Sequence, residues 1–223
     1  MSFTRYAIYY LPPEGALADF GAQWLGWDVR RGAAVPQLDL PGLRDATEAP
    51  RKYGFHGTLK PPFRLAEGQD FDALRDAVAA LAATLASARC GGLALVPLGR
   101  FLALVPEDEA EGIGRVAAAC VRDLDGFRAP PSDAELARRR AAQLSPRQET
   151  HLSRWGYPYV MEDFRFHLTL TGRLPRAQIG AWTDTLRQHL PPLPEPFDLD
   201  RIALVGERTE GGFALIEDHA LTG

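Results

Sequence analysis

The sequence contains one five-residue motif twice, FHGTL at residues 55–59 and FHLTL at residues 166–170, with a single difference at the middle position. The two histidines, His56 and His167, are 167 − 56 = 111 positions apart, which is almost half of the 223 residues. This separation is typical of an internal duplication, in which two copies pack about a pseudo-twofold axis and bring equivalent segments together. We therefore expect both motifs to line one cleft.

Each motif has the pattern of a β-strand, because successive side chains of a strand point to opposite faces. His56 and Thr58 share one face of the first motif, and His167 and Thr169 share one face of the second. The phenylalanine and leucine residues lie on the other face, where they are expected to anchor each strand to the core. The histidines and threonines are then left facing the cleft.

The chain around the motifs predicts the same order of elements in both halves. After each motif the apolar spacing predicts an amphipathic helix followed by two strands. In the first half these are a helix at 71–90 and strands at 93–99 and 100–106, and in the second a helix at 174–190 and strands at 198–207 and 211–221. The other predicted elements are a strand at 5–11, a short helix at 16–27, and helices at 109–124 and 133–144.

An Arg-rich, Pro-punctuated segment at 128–160 interrupts this pattern. We expect it to be an insertion between the two motif-bearing halves of one domain spanning 1–223, placed so that it can cover the cleft as a lid. Arginine and aromatic side chains of this segment offer charge and stacking to a nucleotide or sugar phosphate. They are Arg138, Arg139, Arg140, Arg154, Trp155 and Tyr157.

The composition of the chain limits the kinds of partner that we expect the protein to bind. The net charge of −4 argues against binding along extended nucleic acid, because that affinity comes from many Lys and Arg residues neutralising phosphates. No apolar run reaches the roughly 20 residues needed to cross a bilayer, and residues 1–11 lack the pattern of a secretory signal, so we expect a cytoplasmic protein with no membrane partner. Cys90 and Cys120 have neither CxxC nor metal-ligand spacing and are expected to be buried small side chains.

The motif side chains suit acid–base chemistry on a phosphodiester. Imidazole titrates near neutral pH, so two histidines on opposite sides of a cleft can take and give protons in one reaction. The threonine hydroxyls can donate hydrogen bonds to non-bridging phosphate oxygens. These groups supply both proton transfer and charge stabilisation, so the prediction includes no metal and no other cofactor.

The same strand alternation adds neighbouring candidates for substrate binding. Lys60 is predicted to share the face of the first histidine, and Arg165 and Thr171 the face of the second. The chain has only two lysines, Lys52 and Lys60, and both flank the first motif. Lys52 and the adjacent Tyr53 are therefore further candidates. Cations here would stabilise the negative charge of a pentacoordinate phosphorus.

The paired motifs resemble the HxTx motifs of the two-histidine phosphoesterase superfamily, which includes bacterial RNA cyclic phosphodiesterases once called RNA ligases. The longer stretches RKYGFHGTLKPPF and FRFHLTLTG resemble the branch encoded beside phosphonate-degradation genes. The resemblance implies an α+β fold of two lobes related by a pseudo-twofold axis, with antiparallel sheets lining a central cleft and helices on the outside. It also implies that His56, Thr58, His167 and Thr169 are the working residues.

The function predicted from these features is metal-independent hydrolysis of a small cyclic phosphate on a ribose or a nucleotide, in phosphonate metabolism if the branch applies. A short RNA end with a 2′,3′-cyclic phosphate is the second candidate substrate, and a non-catalytic module that binds a phosphorylated sugar or nucleotide is the alternative function. A metal site of His56 and His167 with Glu162 or Asp163 lacks a third ligand at a recognisable spacing. Three further histidines have no threonine partner and are expected at the surface or in packing: His151, His189 and His219.

Overall fold

This computed structural model describes residues 3–108 and 110–223, which form eleven β-strands and eight α-helices. None of these helices is long and apolar enough to cross a bilayer. The strands are β1 (Phe3–Tyr10), β2 (Trp27–Asp28), β3 (Ala33–Ala34), β4 (Gly57–Phe63), β5 (Ala88–Cys90), β6 (Leu93–Leu98), β7 (Phe101–Pro106), β8 (Leu168–Thr169), β9 (Phe197–Leu199), β10 (Arg201–Arg208) and β11 (Phe213–Ala220). The helices are α1 (Ala16–Leu25), α2 (Leu43–Ala46), α3 (Glu48–Arg51), α4 (Phe71–Thr84), α5 (Glu111–Asp123), α6 (Asp133–Arg140), α7 (Pro146–Trp155) and α8 (Ile179–His189).

Seven of the strands form one antiparallel sheet in the spatial order β11-β10-β1-β4-β8-β7-β6. The motif strands β4 and β8 are neighbours at its centre and pair at a single position, Gly57 with Leu168. Strands β2–β3 and β5–β9 form two small separate ladders. The predicted α+β class with antiparallel sheet is confirmed.

Each half of the chain places its hairpin on the side of the sheet that carries the motif strand of the other half. The β6–β7 hairpin of the first half flanks β8, and the β10–β11 hairpin of the second half reaches β4 through β1. The sheets expected for two lobes are therefore joined into one continuous sheet. The join is the β4–β8 contact, where the two motifs meet.

The sheet is buried on both faces around β1. Tyr6, Ile8 and Tyr10 point into the larger core cluster, which also contains the apolar faces of α4, α5 and α8. Tyr9 belongs to a smaller cluster on the opposite face, with Phe213 of β11. Because strand side chains alternate, this opposite face carries the cleft described below.

Most predicted elements are present, but the helix predicted at 71–90 is too long. Helix α4 begins with the Asp70 side chain accepting a hydrogen bond from the Ala73 amide at 2.8 Å. It ends at Thr84, because Leu85 is already extended. Residues 88–90 instead form β5, which pairs with β9 and buries alternate side chains.

The segment 128–160 contains two helices where one was predicted. Helix α6 corresponds to the predicted helix and starts with a capping box of Ser132 and Glu135. Helix α7 was not predicted, although Ser145, Pro146 and Gln148 give a second capping box with proline in the first turn. A bridge between Leu65 and Arg128 joins the start of this segment to the chain that follows β4.

Candidate active site

The structure places the four motif side chains in one cleft, a cavity of about 840 Å³ lined by His56, Thr58, His167 and Thr169. Gly57 lies opposite Leu168, so the antiparallel register continued by one residue on each side sets His56 opposite Thr169 and Thr58 opposite His167. Directly opposed residues share a face, with Cβ atoms about 5 Å apart. The four polar side chains therefore form a square patch centred on the Gly57–Leu168 pair.

The one position at which the two motifs differ is the position where they touch. A Cβ on Gly57 would lie 2.4 Å from the ring of Phe166, so only glycine permits this approach of the strands. Its partner Leu168 is fully buried in the core. The glycine is thus required by the contact that brings the two histidines together.

Both imidazoles are held in the same way. His56 Nδ1 lies 2.9 Å from the carbonyl oxygen of Gly54, and His167 Nδ1 lies 2.8 Å from that of Arg165. A carbonyl can only accept a hydrogen bond, so Nδ1 is the donor in both rings and Nε2 of the neutral ring is an acceptor. The Thr58 hydroxyl, 2.9 Å from His56 Nε2, donates to it. Each histidine thus directs its Nε2 for proton transfer through a backbone contact two residues earlier.

Gly54 supplies the carbonyl that orients His56 and has a left-handed backbone with φ +70°. A Cβ at this position would lie 2.0 Å from a methyl carbon of Val29. The conformation and the lack of space both require glycine. Gly54 is therefore part of the device that fixes the first imidazole.

Tyr9 covers His56 and was not predicted as a site residue. The two ring centroids are 3.7 Å apart with an interplanar angle of 23°, and Tyr9 is fully buried. Burial lowers the pKa of His56 to about 4, and a positive charge on His167 lowers this pKa further, while the hydrogen bond to Gly54 opposes the shift. His56 is therefore neutral near pH 7. No sequence motif marks Tyr9, because its stacking depends on the register of β1 with β4.

The predicted position of Lys60 is wrong. Thr58 lies opposite Tyr9 on the cleft face, but a bulge follows, and Lys60 lies opposite Ile8 on the core face. The extra residue breaks the alternation from which the prediction was made. The Lys60 ammonium is buried, 3.0 Å from the carbonyl oxygen of Val121 at the end of α5, and it does not line the cleft.

The other predicted binding residues lie in different environments. Arg165 is exposed and lines the cleft, as does Tyr53. Thr171 also reaches the cleft wall, but its hydroxyl is used within the protein: it accepts from the Leu102 amide at 2.9 Å and donates to the Gly172 carbonyl at 3.0 Å. Thr171 therefore joins β7 to the end of β8, and a role in substrate binding is not supported.

Lys52 is exposed and lies outside the cleft lining, with its ammonium 4.9 Å from the centre of the Tyr53 ring. Its predicted contact with substrate is therefore not supported by its position. The adjacent Tyr53 does line the cleft. The closeness of Lys52 to the first motif in the sequence thus does not bring its side chain into the cleft.

The segment 128–160 forms one wall of the cleft. Of its predicted contacts, Arg139 and Tyr157 line the cavity, and the Arg139 guanidinium lies 4.5 Å from the centre of the Tyr157 ring. The other four predicted contacts are not part of this lining: Arg138, Arg140, Arg154 and Trp155. The lining also includes residues that were not predicted, among them Arg147, Tyr159 and Phe101, and the Phe101 ring lies 5.7 Å from that of His167.

The remaining histidines lie outside the square patch. His151 is buried in α7 with Nε2 3.3 Å from Glu162 and 3.5 Å from Asp163, and His189 donates from Nδ1 to Thr185 in the last turn of α8. No group of three or more His, Cys, Asp or Glu side chains arranged to hold a metal ion is present in residues 3–108 and 110–223. Cys90 and Cys120 are buried and unpaired, as predicted.

Comparison with known proteins places the chain in a family. The family model described as "Protein of unknown function (DUF1045)" matches residues 58–214. The chain belongs to this family. The DUF1045 match contains Thr58 and the whole second motif, and it begins two residues after His56.

Two curated relatives of this DUF1045 protein carry the name Ribose 1,5-bisphosphate phosphokinase PhnN. The one from Janthinobacterium sp. (strain Marseille) is 41% identical over 182 residues, which are 79% of this chain and 40% of the relative. The one from Laribacter hongkongensis (strain HLHK9) is 36% identical over 190 residues, 83% of this chain and 44% of the relative. The chain therefore spans less than half the length of these relatives.

Solved structures similar to this chain over 100% of both chains include E. coli LigT complexed with 3′-AMP, at 15% identity and a TM-score of 0.49. A crystal structure of a phosphoesterase is similar over the same extent, at 14% identity and a TM-score of 0.44. LigT complexed with NADP+ is similar at 13% identity and a TM-score of 0.45.

Proposed function

We propose that this chain is a metal-independent phosphodiesterase of the two-histidine type, which hydrolyses a small cyclic phosphate of a ribose or a nucleotide. The observation that carries the proposal is the square patch, in which two equally oriented imidazoles and two threonines line one cleft. Such a patch offers a proton acceptor, a proton donor and two hydroxyl donors around a space large enough for a phosphate ester.

The environments of the two histidines favour different roles. His56 is neutral at pH 7 because its pKa is lowered to about 4, so we assign it as the general base that takes a proton from water. The water oxygen bonds to phosphorus, and the bond from phosphorus to one ring oxygen breaks. His167, in its protonated form, gives its proton to that oxygen. Thr169 and Arg165 hold the non-bridging oxygens as negative charge increases on them, and the Thr58 hydroxyl joins them by turning its proton from His56 Nε2 to the phosphate, which frees that nitrogen to take the proton of water.

The names of the relatives suggest a substrate. Their PhnN names suggest a role related to phosphonate metabolism, and ribose 1,5-bisphosphate is the compound that the names print. Hydrolysis of a 1,2-cyclic phosphate on ribose 5-phosphate, with cleavage at the 2-oxygen, yields that compound. We therefore propose this cyclic phosphate as the first substrate to assay.

A nucleotide substrate is the second candidate, and the aromatic lining of the cleft favours it. Tyr53, Phe101, Tyr157 and Tyr159 all line the cavity, and Tyr159 is 42% exposed. Exposed aromatic rings beside a phosphate site can stack on a base. Nucleoside 2′,3′-cyclic phosphates and short RNA ends with the same group therefore belong in the same assay.

We also propose that residues 128–160 are an insertion within one domain spanning 1–223. Support comes from its two helices, which contribute Arg139 and Arg147 to the cleft lining, and from Tyr157 just after α7, while the segment adds no strand to the seven-stranded sheet. The insertion would then select the part of the substrate that lies beyond the phosphate.

The test is a panel of cyclic phosphates with EDTA present, assayed for wild type, His56→Ala, His167→Ala and His189→Ala. We expect turnover of one panel member by wild type and a loss of at least about 100-fold in kcat for each cleft variant. His189→Ala is the matched control, because this exposed histidine lies at the end of α8, and the variant should retain wild-type activity.

The alternatives give different results in the same experiment. Turnover that EDTA abolishes and a divalent ion restores would contradict the metal-independent mechanism. Binding of a panel member without turnover, equal in wild type and His167→Ala, would instead indicate a non-catalytic binding module. Equal activity of wild type and both cleft variants would contradict the assignment of the site.

A further inference from the structure

A second, smaller cavity of about 50 Å³ lies between the end of β4 and the segment 128–160. Six cationic side chains line it: Arg5, Lys60, Arg64, Arg128, Arg138 and Arg139. We call it the basic cavity. It shares Pro61, Pro62, Arg139 and Tyr157 with the cleft, so the two cavities adjoin.

The carboxylates around the basic cavity balance only part of its positive charge. Glu207 pairs with Arg5 at 2.6 Å, and Glu135 pairs with Arg64 at 2.9 Å. Asp125 lies 2.7 Å from Arg128 and 3.7 Å from Lys60. Three carboxylates thus face six cations, which leaves an excess of three positive charges.

Lys60 lies at the buried end of this cavity with hydrogen-bonding capacity to spare. It is 2% exposed, and its ammonium makes one hydrogen bond in the described part of the chain, to the Val121 carbonyl at 3.0 Å. An ammonium has three donors. Burial lowers the pKa of Lys60 to about 8, and although Asp125 and Cys120 oppose this shift, Arg128 adds to it. A bound anion would offset the burial of this charge.

The three consecutive arginines of α6 differ in their surroundings. Arg138 lines the basic cavity and has no carboxylate partner within residues 3–108 and 110–223. Arg140 lies outside the cavity lining and pairs with Glu149 at 2.6 Å. The two residues carry the same charge on the same helix, so they provide a matched pair for mutation.

We propose that the basic cavity is a second anion site, which binds the dianion of a phosphate group. Lysine and arginine donors converging from β4, α6 and the chain at residue 128 suit a tetrahedral oxyanion that accepts several hydrogen bonds. Two sources of this group fit the chemistry. One is a terminal phosphate of the substrate that occupies the cleft, which rests on the proposed function, and the other is free inorganic phosphate.

The binding test uses inorganic phosphate as the probe at low ionic strength, measured by isothermal titration calorimetry. The background is His56→Ala with His167→Ala and Arg165→Ala, so that the cleft loses both imidazoles and the cation proposed to hold the phosphate oxygens. We expect saturable binding to this protein, a loss of about 10-fold or more in affinity with Lys60→Met, and a loss of severalfold with Arg138→Gln. Arg140→Gln should bind as the background does.

Two results would overturn the proposal: no saturable binding to the background protein, or the same affinity in Arg138→Gln as in Arg140→Gln. Circular dichroism and thermal unfolding of each variant show whether it is folded. If Lys60→Met does not fold, the comparison of Arg138→Gln with Arg140→Gln still decides, because both side chains are exposed.

Kinetics distinguish the two sources of the phosphate. If the substrate supplies it, Arg138→Gln should lower kcat/KM severalfold for a ribose cyclic phosphate that carries a 5-phosphate, and leave unchanged the value for one that lacks it. If free phosphate occupies the site, the variant should treat both substrates alike. Absence of turnover on either would contradict the proposed function, and the calorimetric result would still decide on the anion site.

Discussion

The imidazole of His56 is held by groups of three kinds: the ring of Tyr9 stacked at 3.7 Å, the carbonyl of Gly54 at Nδ1 and the hydroxyl of Thr58 at Nε2. Each of these three groups acts on a different property of the imidazole. The carbonyl fixes the tautomer, the hydroxyl marks the proton-accepting nitrogen, and the tyrosine excludes water from the ring. Because exclusion of water disfavours the charged form, Tyr9 is a positioning residue that also helps to keep His56 neutral.

Removal of the Tyr9 ring should therefore change the pH dependence of activity. In wild type the acid limb of kcat/KM is expected near pH 4, the pKa of His56. Tyr9→Leu should move this limb toward the ordinary histidine value of about 6.5, with a loss of about 10-fold at pH 5. Tyr9→Phe is the control and should keep the low limb, because it retains the stacked ring and removes only a hydroxyl that has no partner among the described residues. Identical limbs in all three proteins would contradict this role.

The same lowered pKa predicts a loss of stability in acid. His56 has a pKa of about 4 in the folded protein and about 6.5 when unfolded, so the unfolded state binds more protons between these values. The contribution of His56 to the free energy of unfolding is therefore largest above pH 6.5, and it decreases as the pH falls toward 4. The wild-type free energy of unfolding, relative to that of His56→Asn, should decrease by about 2 kcal/mol from pH 7.5 to 4.5. Urea unfolding at both pH values measures it, and a pH-independent difference would contradict the prediction.

At the scale of elements, the contact between β4 and β8 depends on one glycine. An alanine at position 57 would force its Cβ against the Phe166 ring, so Gly57→Ala should destabilise the protein by about 1–3 kcal/mol and lower kcat/KM by separating the histidines. Gly114→Ala in α5 is the control, because a Cβ added at this position has no neighbour within 4 Å. This variant should be neutral or stabilising. Urea unfolding and steady-state kinetics test both. Phe166→Leu should restore part of the loss, and a fully stable Gly57→Ala protein would contradict the argument.

Strand alternation predicted the faces of the motif residues correctly and failed where the strand is irregular. His56 and Thr58 lie on the predicted face, but the bulge between Thr58 and Lys60 reverses the direction of the next side chain. A bulge arises from the pairing with β1, which is distant in sequence, so a local pattern cannot reveal it. The stacking of Tyr9 on His56 depends on the same pairing. Helix α7, by contrast, has a local capping signal and could have been predicted.

For the whole molecule, the exchange of hairpins between the halves makes each half depend on the other. The Trp24 indole of α1 donates to the Leu170 carbonyl at 2.8 Å, so an element of the first half also holds the end of the second motif. The cleft forms only where both halves contribute a motif strand to the same sheet. Two lobes that shared only an interface could open separately, whereas halves joined through a continuous sheet share their hydrogen bonds and core.

This connection predicts that the two halves unfold together. Native-state hydrogen exchange should give the amides of β7, from the first half, and of β10, from the second, the same free energy of opening within about 1 kcal/mol, equal to the global value. Urea unfolding followed by circular dichroism and by tryptophan fluorescence should show coincident single transitions. Gly57→Ala should lower the opening free energies of both strands by the same amount, because it weakens the contact that joins them. Loss of protection in one hairpin while the other stays closed would show that the halves are independent, and the cleft would then be an interface between two separately stable lobes.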